Sequence, residues 1–227
     1  MSARTKSDEE IRAVTRAWPL EMVIHSAFES HGLKARLRFQ LGLRRIESYA
    51  QAAAVQVARI DAQMTKYLDG VKADNPPAKL EYPSGQLFAD AHFYFICWDS
   101  VAKALDSLRS NVARLVTPRE VWRHHRTSLE NYTRARDHLE HYSERLPLGK
   151  RSTWVYESGD SIERISGDPG AVRLGNVFTL NGEQWDVSLK SAEILKSLWQ
   201  DLDEGIRAET DTSFAAWLSG DRTTKRS

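Results

Sequence analysis

Between Leu43 and Val71, apolar residues return every three or four positions: Leu43, Ile46, Ala50, Ala53, Val57, Ile60, Met64, Leu68 and Val71. That period is one face of a long packing helix. "DNPPAKLEYPSG" breaks the rhythm with prolines and a glycine, which predicts a loop. A second long helix is then expected from about Gln86 to Val116, with Phe88, Ala91, Phe95, Trp98, Ala102, Leu105, Val112 and Val116 as its stripe. "TPREV" opens a third helix: Thr117 can cap it, Pro118 takes the first helical position and Glu120 completes a capping box. Its periodicity runs to Arg145 or Leu146, where Pro147 and Gly149 end it. Ahead of these, "DEEIRAVTRAW" predicts a short helix ending near Trp18-Pro19, and residues 20–42 show no clear pattern.

After Gly149 the pattern shortens. "STWVYES", "IERIS", "AVRLGNVFTL" and "EQWDVSL" read as strands, and Asn181-Gly182 separates the last two in the manner of a two-residue hairpin turn. Phe178 and Leu180 can then share a face with Trp185, Val187 and Leu189. A final helix is expected from Ser188 or Ser191. The fold class is mainly α. An antiparallel helical bundle occupies residues 1–149, and a small C-terminal antiparallel β appendage plus a final helix occupy residues 150–227.

With 227 residues, 41% hydrophobic and 28% charged, the chain can bury a substantial core. Its net charge of +1 gives no whole-chain case for nucleic-acid binding, so any such case is local. "FYFICW" is too short to cross a bilayer, and the start "MSARTKSDEEIR" lacks the apolar stretch of a signal peptide. A cytoplasmic protein with no membrane partner is therefore expected. The single cysteine, Cys97, has no companion for a disulfide or a cysteine-based zinc site and reads as a core residue.

The chemistry is concentrated on the third long helix, which carries His124, His125, His138 and His141 beside Arg119, Arg123, Arg126, Arg134, Arg136 and Arg145. Arginines can grip phosphate oxygens, and histidine exchanges protons near neutral pH. The plainer reading is a solvated helix face stitched by contacts three and four residues apart. At about 100° per residue, Arg136 lies close to the stripe of Leu129, Tyr132, Leu139 and Tyr142, while His141 sits about 140° away. Asp137 precedes His141 by one turn and can orient it, and Glu140 stands in the same relation to Arg136. The two functional side chains would have to converge in a cleft between helices or between two copies of the chain. His92 and Asp99 could share a polar face, as could Glu47 and Asp61, but paired Glu-x-x-His motifs are absent. Neither a metal nor another cofactor is expected. "SGDPGAVRLG" lacks the lysine and spacing of a phosphate loop and reads as turns.

"RDHLEH", Arg136 to His141, resembles the signature of HEPN domains, the higher eukaryote and prokaryote nucleotide-binding helical proteins: arginine, a polar residue, three variable residues, histidine. The likeness in helical organisation covers residues 43–146. The resemblance implies a bundle that dimerises, bringing two copies of the signature into a shared cleft, and a metal-independent ribonuclease of the kind found among toxins and defence components. Arg136 and His141 would be the catalytic pair and Asp137 the orienting polar residue, with Arg134, His138 and Arg145 touching RNA. The partners implied are a second copy of the chain, an RNA substrate, and a cognate antitoxin or regulatory protein. A non-catalytic RNA-binding or regulatory member is the alternative, and a structural helical dimer without a nucleic-acid role is the third reading. The same spacing recurs at Arg119 and His124 in "REVWRH". The Arg136 copy is preferred because aspartate follows it and it lies deep in the helix.

Overall fold

A computed structural model describes residues 8–27, 32–73, 84–111, 115–140, 152–158, 161–165, 168–172, 177–180 and 183–218. Helices α1 (Asp8–Ala17), α2 (Leu20–Ala27), α3 (Leu33–Lys72), α4 (Ser84–Asn111) and α5 (Thr117–Glu140) precede strands β1 (Ser152–Ser158), β2 (Ser161–Ile165), β3 (Asp168–Val172), β4 (Val177–Leu180) and β5 (Glu183–Asp186). A final helix, α6 (Leu189–Leu218), follows. The mainly helical bundle, the β4–β5 antiparallel hairpin and the final helix match the expected architecture. None of the helices among the described residues is long and apolar enough to cross a membrane.

Two expected boundaries move. α3 begins at Leu33 rather than Leu43; its early leucines, Leu33, Leu37 and Leu41, are 63%, 47% and 63% exposed and lie off the buried stripe of Phe39, Leu43 and Ile46. α4 ends at Asn111 rather than Val116, and the Val116 carbonyl instead accepts the first amides of α5, from Arg119 and Glu120. The end expected for α5 at Arg145 or Leu146 lies outside the described residues.

Contacts group the chain into two compact units. One comprises Met1–Glu47, Lys103–His125 and Leu198–Ser227. Its core is Val23 and Ile24 of α2, Phe39, Leu43 and Ile46 of α3, Leu105 and Leu108 of α4, Val121 of α5, and Leu202, Ile206 and Phe214 of α6. Gly42 lets α3 approach α4: a Cβ there would stand 2.7 Å from Leu108 Cδ2. Gly205 does the same for α6 and the start of α5, where a Cβ would meet Thr117 Cγ2 at 2.5 Å. That approach brings in Glu209, whose carboxylate accepts the Val116 amide at 2.6 Å, the Thr117 amide at 3.0 Å and the Thr117 hydroxyl at 2.7 Å. An anion on unsatisfied amides at a helix start is favourable both as a hydrogen-bond acceptor and against the helix dipole. Thr117 thus spends its hydroxyl on Glu209 of α6, where the sequence suggested a local capping box with Glu120. Arg207 closes the end of α1, its Nη1 donating to the Thr15 and Trp18 carbonyls at 2.8 Å each while Asp203 holds its Nε at 2.9 Å.

The other unit comprises Ser48–Ala102 and Arg126–Ser197, and its core is aromatic. Trp98 of α4 stacks on Tyr132 of α5, with centroids 4.1 Å apart and planes within 11°. Phe95 meets Phe178 of β4 edge-on at 5.3 Å and Trp185 of β5 at 6.1 Å. The hairpin pairs Phe178 opposite Trp185, and both are buried. Two polar tips are bonded along with their rings: Trp185 Nε1 donates to the Asn131 carbonyl at 3.1 Å and the Tyr132 hydroxyl to the Asp186 carbonyl at 2.7 Å. Tyr94 and Ser191 share a hydroxyl hydrogen bond of 2.7 Å. Burial pushes the Tyr132 hydroxyl up to about 12 and the Cys97 thiol likewise to about 12, so Cys97 is an inert core residue, as its sequence context suggests.

One feature of the β segment departs from expectation. β1, β2 and β3 form a sheet in the order β2-β1-β3, in which β1 and β2 are antiparallel but β1 and β3 are parallel. β2 ends opposite Trp154, so the chain re-enters beside Ser152 at the start of β1 and β3 runs in the same sense as β1. Pro169 sits in β3, an edge strand, where a missing amide donor costs least.

Candidate functional site on the polar border of α4 and α5

Tyr132, Ala135 and Leu139 are the buried stripe of α5 in its second half. Arg136 follows Ala135 and therefore lies at the border of that stripe, with its side chain 24% exposed. On α4, Asp99 follows the buried Trp98 in the same way, and its carboxylate is only 8% exposed. The two meet at the edge of the aromatic core, Arg136 Nε standing 4.0 Å from Asp99 Oδ2. The remaining donors of the guanidinium are taken locally. Nη1 donates to Asp137 Oδ1 at 3.1 Å, and Nη2 pairs with Glu140 one turn on. Burial works to lower the Arg136 pKa, but Asp99 and Glu140, with the hydrogen bonds from Glu140 and Asp137, outweigh it and raise the value. Arg136 is a permanent cation held among three carboxylates.

His92 extends the cluster. It precedes Asp99 by seven residues on α4, close to two full turns, so both occupy one face. Burial lowers its pKa, and Arg136 lowers it further against the opposing pull of Glu140. Its Nε2 is buried with no hydrogen-bond partner among the described residues. A neutral imidazole beside a fixed guanidinium and a carboxylate can accept or relay a proton, while the guanidinium can balance developing negative charge.

The expected site residues divide into three sets. Asp137, expected from its spacing to orient His141, contacts the Arg136 guanidinium. Arg134 and His138, the expected RNA contacts, both face Glu183 at the start of β5: Arg134 Nε lies 3.0 Å from Oε2 and His138 Nε2 3.6 Å from Oε1. They tie α5 to the hairpin. His141 and Arg145 lie outside the described residues. Sequence reasoning noticed His92 and Asp99 as a shared face but considered them for a metal. Glu183 carried no local signal, because its partners are far away in the chain. The group of histidine and carboxylate donors able to hold a metal among the described residues is elsewhere, at His124, His125 and Asp201.

Comparison of the chain with protein families, with curated proteins and with solved structures returns no match.

Proposed function

We propose that this chain is a metal-independent endoribonuclease of HEPN-like type that works as a homodimer, with Arg136 as its electrostatic centre. The observation that carries the reading is the placement of Arg136: a guanidinium at the rim of a hydrophobic core, oriented by Asp99, Asp137 and Glu140. The "RDHLEH" resemblance supplies His141. In the reaction the 2′-hydroxyl oxygen of RNA bonds to the adjacent phosphorus as His141 assists removal of its proton. The bond from phosphorus to the 5′-oxygen breaks and that oxygen takes up a proton, leaving a 2′,3′-cyclic phosphate and a 5′-hydroxyl. Arg136 balances the charge gathering on the phosphoryl oxygens, and Asp137 holds the guanidinium.

The carboxylates also set a condition. One positive and three negative groups repel a phosphate until a carboxylate yields its place, and Asp137 and Glu140, 56% and 36% exposed against 8% for Asp99, are the groups able to do so. The purified chain, incubated with single-stranded and structured RNAs in excess chelator, should produce cyclic-phosphate ends. His141→Ala and Arg136→Ala should each reduce the rate by about 10²-fold or more. Glu140→Gln should tighten RNA binding, and light scattering should find two chains per particle. Absence of cleavage from a folded protein across that panel refutes the enzyme.

The same saturation of Arg136 favours a second reading, in which the guanidinium only ties α4 to α5 in a non-catalytic helical protein. In that case Arg136→Ala lowers stability, and RNA is neither bound nor cut.

A further inference from the structure

The first half of α5 contains the other arginine and histidine spaced like the signature, Arg119 and His124, which the ribonuclease reading leaves unused. His124 has a chemistry of its own. We propose that His124, His125 and Asp201 form a zinc site joining α5 to α6 within one compact unit, independent of the Arg136 cluster.

One donor atom from each residue lies within 4.8 Å of the other two. His125 is 6% exposed and its Nε2 is 2.9 Å from Asp201 Oδ2, so two of the three groups already face one point. With bonds of about 2.0–2.1 Å to a tetrahedral zinc, neighbouring ligand atoms stand about 3.3 Å apart. The His125–Asp201 pair therefore needs to open by only a few tenths of an ångström. His124 and His125 have ring centroids 4.7 Å apart with planes at 80°. His124 is exposed, and turning its ring inward trades its edge-on contact with His125 for a shared ion. Asp201 is 46% exposed, which leaves a solvent path for the ion.

The donor set points to the metal. Two imidazole nitrogens and one carboxylate oxygen suit Zn²⁺ better than the all-oxygen environments of magnesium or calcium. Three protein ligands leave a fourth position for water, the pattern of an open zinc site. A simple hydrogen bond between His125 and Asp201 would need neither His124 nor an ion, and that difference makes the proposal testable.

The full chain, freed of metal, should be titrated with Zn²⁺ by calorimetry and with Co²⁺ by visible absorption. One zinc per chain, a raised melting temperature with rising free zinc and the intense visible bands of tetrahedral cobalt are expected. His124→Ala, which removes an exposed side chain and should leave the circular dichroism spectrum unchanged, should weaken zinc binding at least about tenfold, and Asp201→Asn should do the same. The proposal is overturned if the native chain binds no stoichiometric zinc, or if His124→Ala binds it as tightly as the native chain. RNA cleavage in excess chelator reports on the Arg136 reading alone, so failure of one proposal is distinguishable from failure of the other.

Discussion

The two halves of α5 carry similar side chains but are answered by carboxylates from different distances along the chain. In the first half, Asp201 and Glu209 come from α6, the one meeting the His125 ring and the other capping the helix start. In the second half, Arg136 is answered by Asp137 and Glu140 of α5 itself and Asp99 of the neighbouring α4, and Arg134 and His138 by Glu183 of β5. Local partners can orient a cation without fixing any tertiary contact, whereas distant partners are also the contacts that hold helices together. The second half adds aromatic packing, the Trp98–Tyr132 stack and the hairpin aromatics, where the first half has the buried Val121 and its polar bonds to α6.

Removing that packing is the largest test of the comparison. Trp98 is completely buried, and Trp98→Ala should destabilise the protein by about 3–5 kcal/mol through lost burial and the cavity left behind. Urea unfolding followed by circular dichroism measures it. If instead Arg136→Ala proves the more damaging change, packing is not what holds the second half.

Arg136→Ala is expected to cost about 1–3 kcal/mol. Most of that arises because Asp99, 8% exposed, loses the cation that compensates its burial, and partial exposure of the arginine keeps the figure below that of a fully enclosed pair. Arg136→Lys keeps the charge but loses the planar fork, so it should fall between the native protein and Arg136→Ala. Equal stability of all three would place Asp99 in water rather than at the core's edge.

The first half is tested at its cap. Glu209→Gln replaces a charged acceptor serving three donors by a neutral one, with an expected loss of about 0.5–2 kcal/mol, the range for helix caps. Because the Thr117 hydroxyl donates to the same carboxylate, Thr117→Val in the Glu209→Gln background should cost less than Thr117→Val alone. Additive losses would dissociate the two.

The division between the halves also explains what could be read from the sequence. Apolar periodicity located α4 and α5, and Asn181-Gly182 located the β4–β5 hairpin, because those signals are local and repeat. The start of α3 escaped because its leucines there face solvent, and the parallel β1–β3 pairing escaped because nothing in "SGDPGAV" states which strand it joins. At the site, the pairing of Arg136 with Glu140 was legible from spacing along one helix, whereas the same spacing pointed Asp137 at His141. Asp99 and His92 were visible as a shared face on α4 but not as partners of Arg136, since that depends on how two helices pack. Glu183, Asp201 and Glu209 gave no signal at all, each meeting a residue more than forty positions away.

The smallest expected effect concerns His92, and it reports on the polar border directly. Burial lowers its folded pKa below the ordinary histidine value of about 6.5, so the unfolded chain binds a proton at a pH where the folded protein does not. Stability is therefore fully present above about 6.5 and is lost as pH falls through the folded pKa. His92→Gln keeps a polar side chain without titrating, and the difference between native and variant urea midpoints should shrink or reverse as pH drops across that window, while every group common to both cancels. Arg136 contributes to the lowering and Glu140 opposes it. Arg136→Ala should accordingly raise the His92 pKa and move the window upward, and Glu140→Gln should move it down. Imidazole NMR titration of the three proteins follows His92 itself. A His92 resonance that titrates identically in all of them would separate it electrostatically from Arg136 and remove it from the cluster.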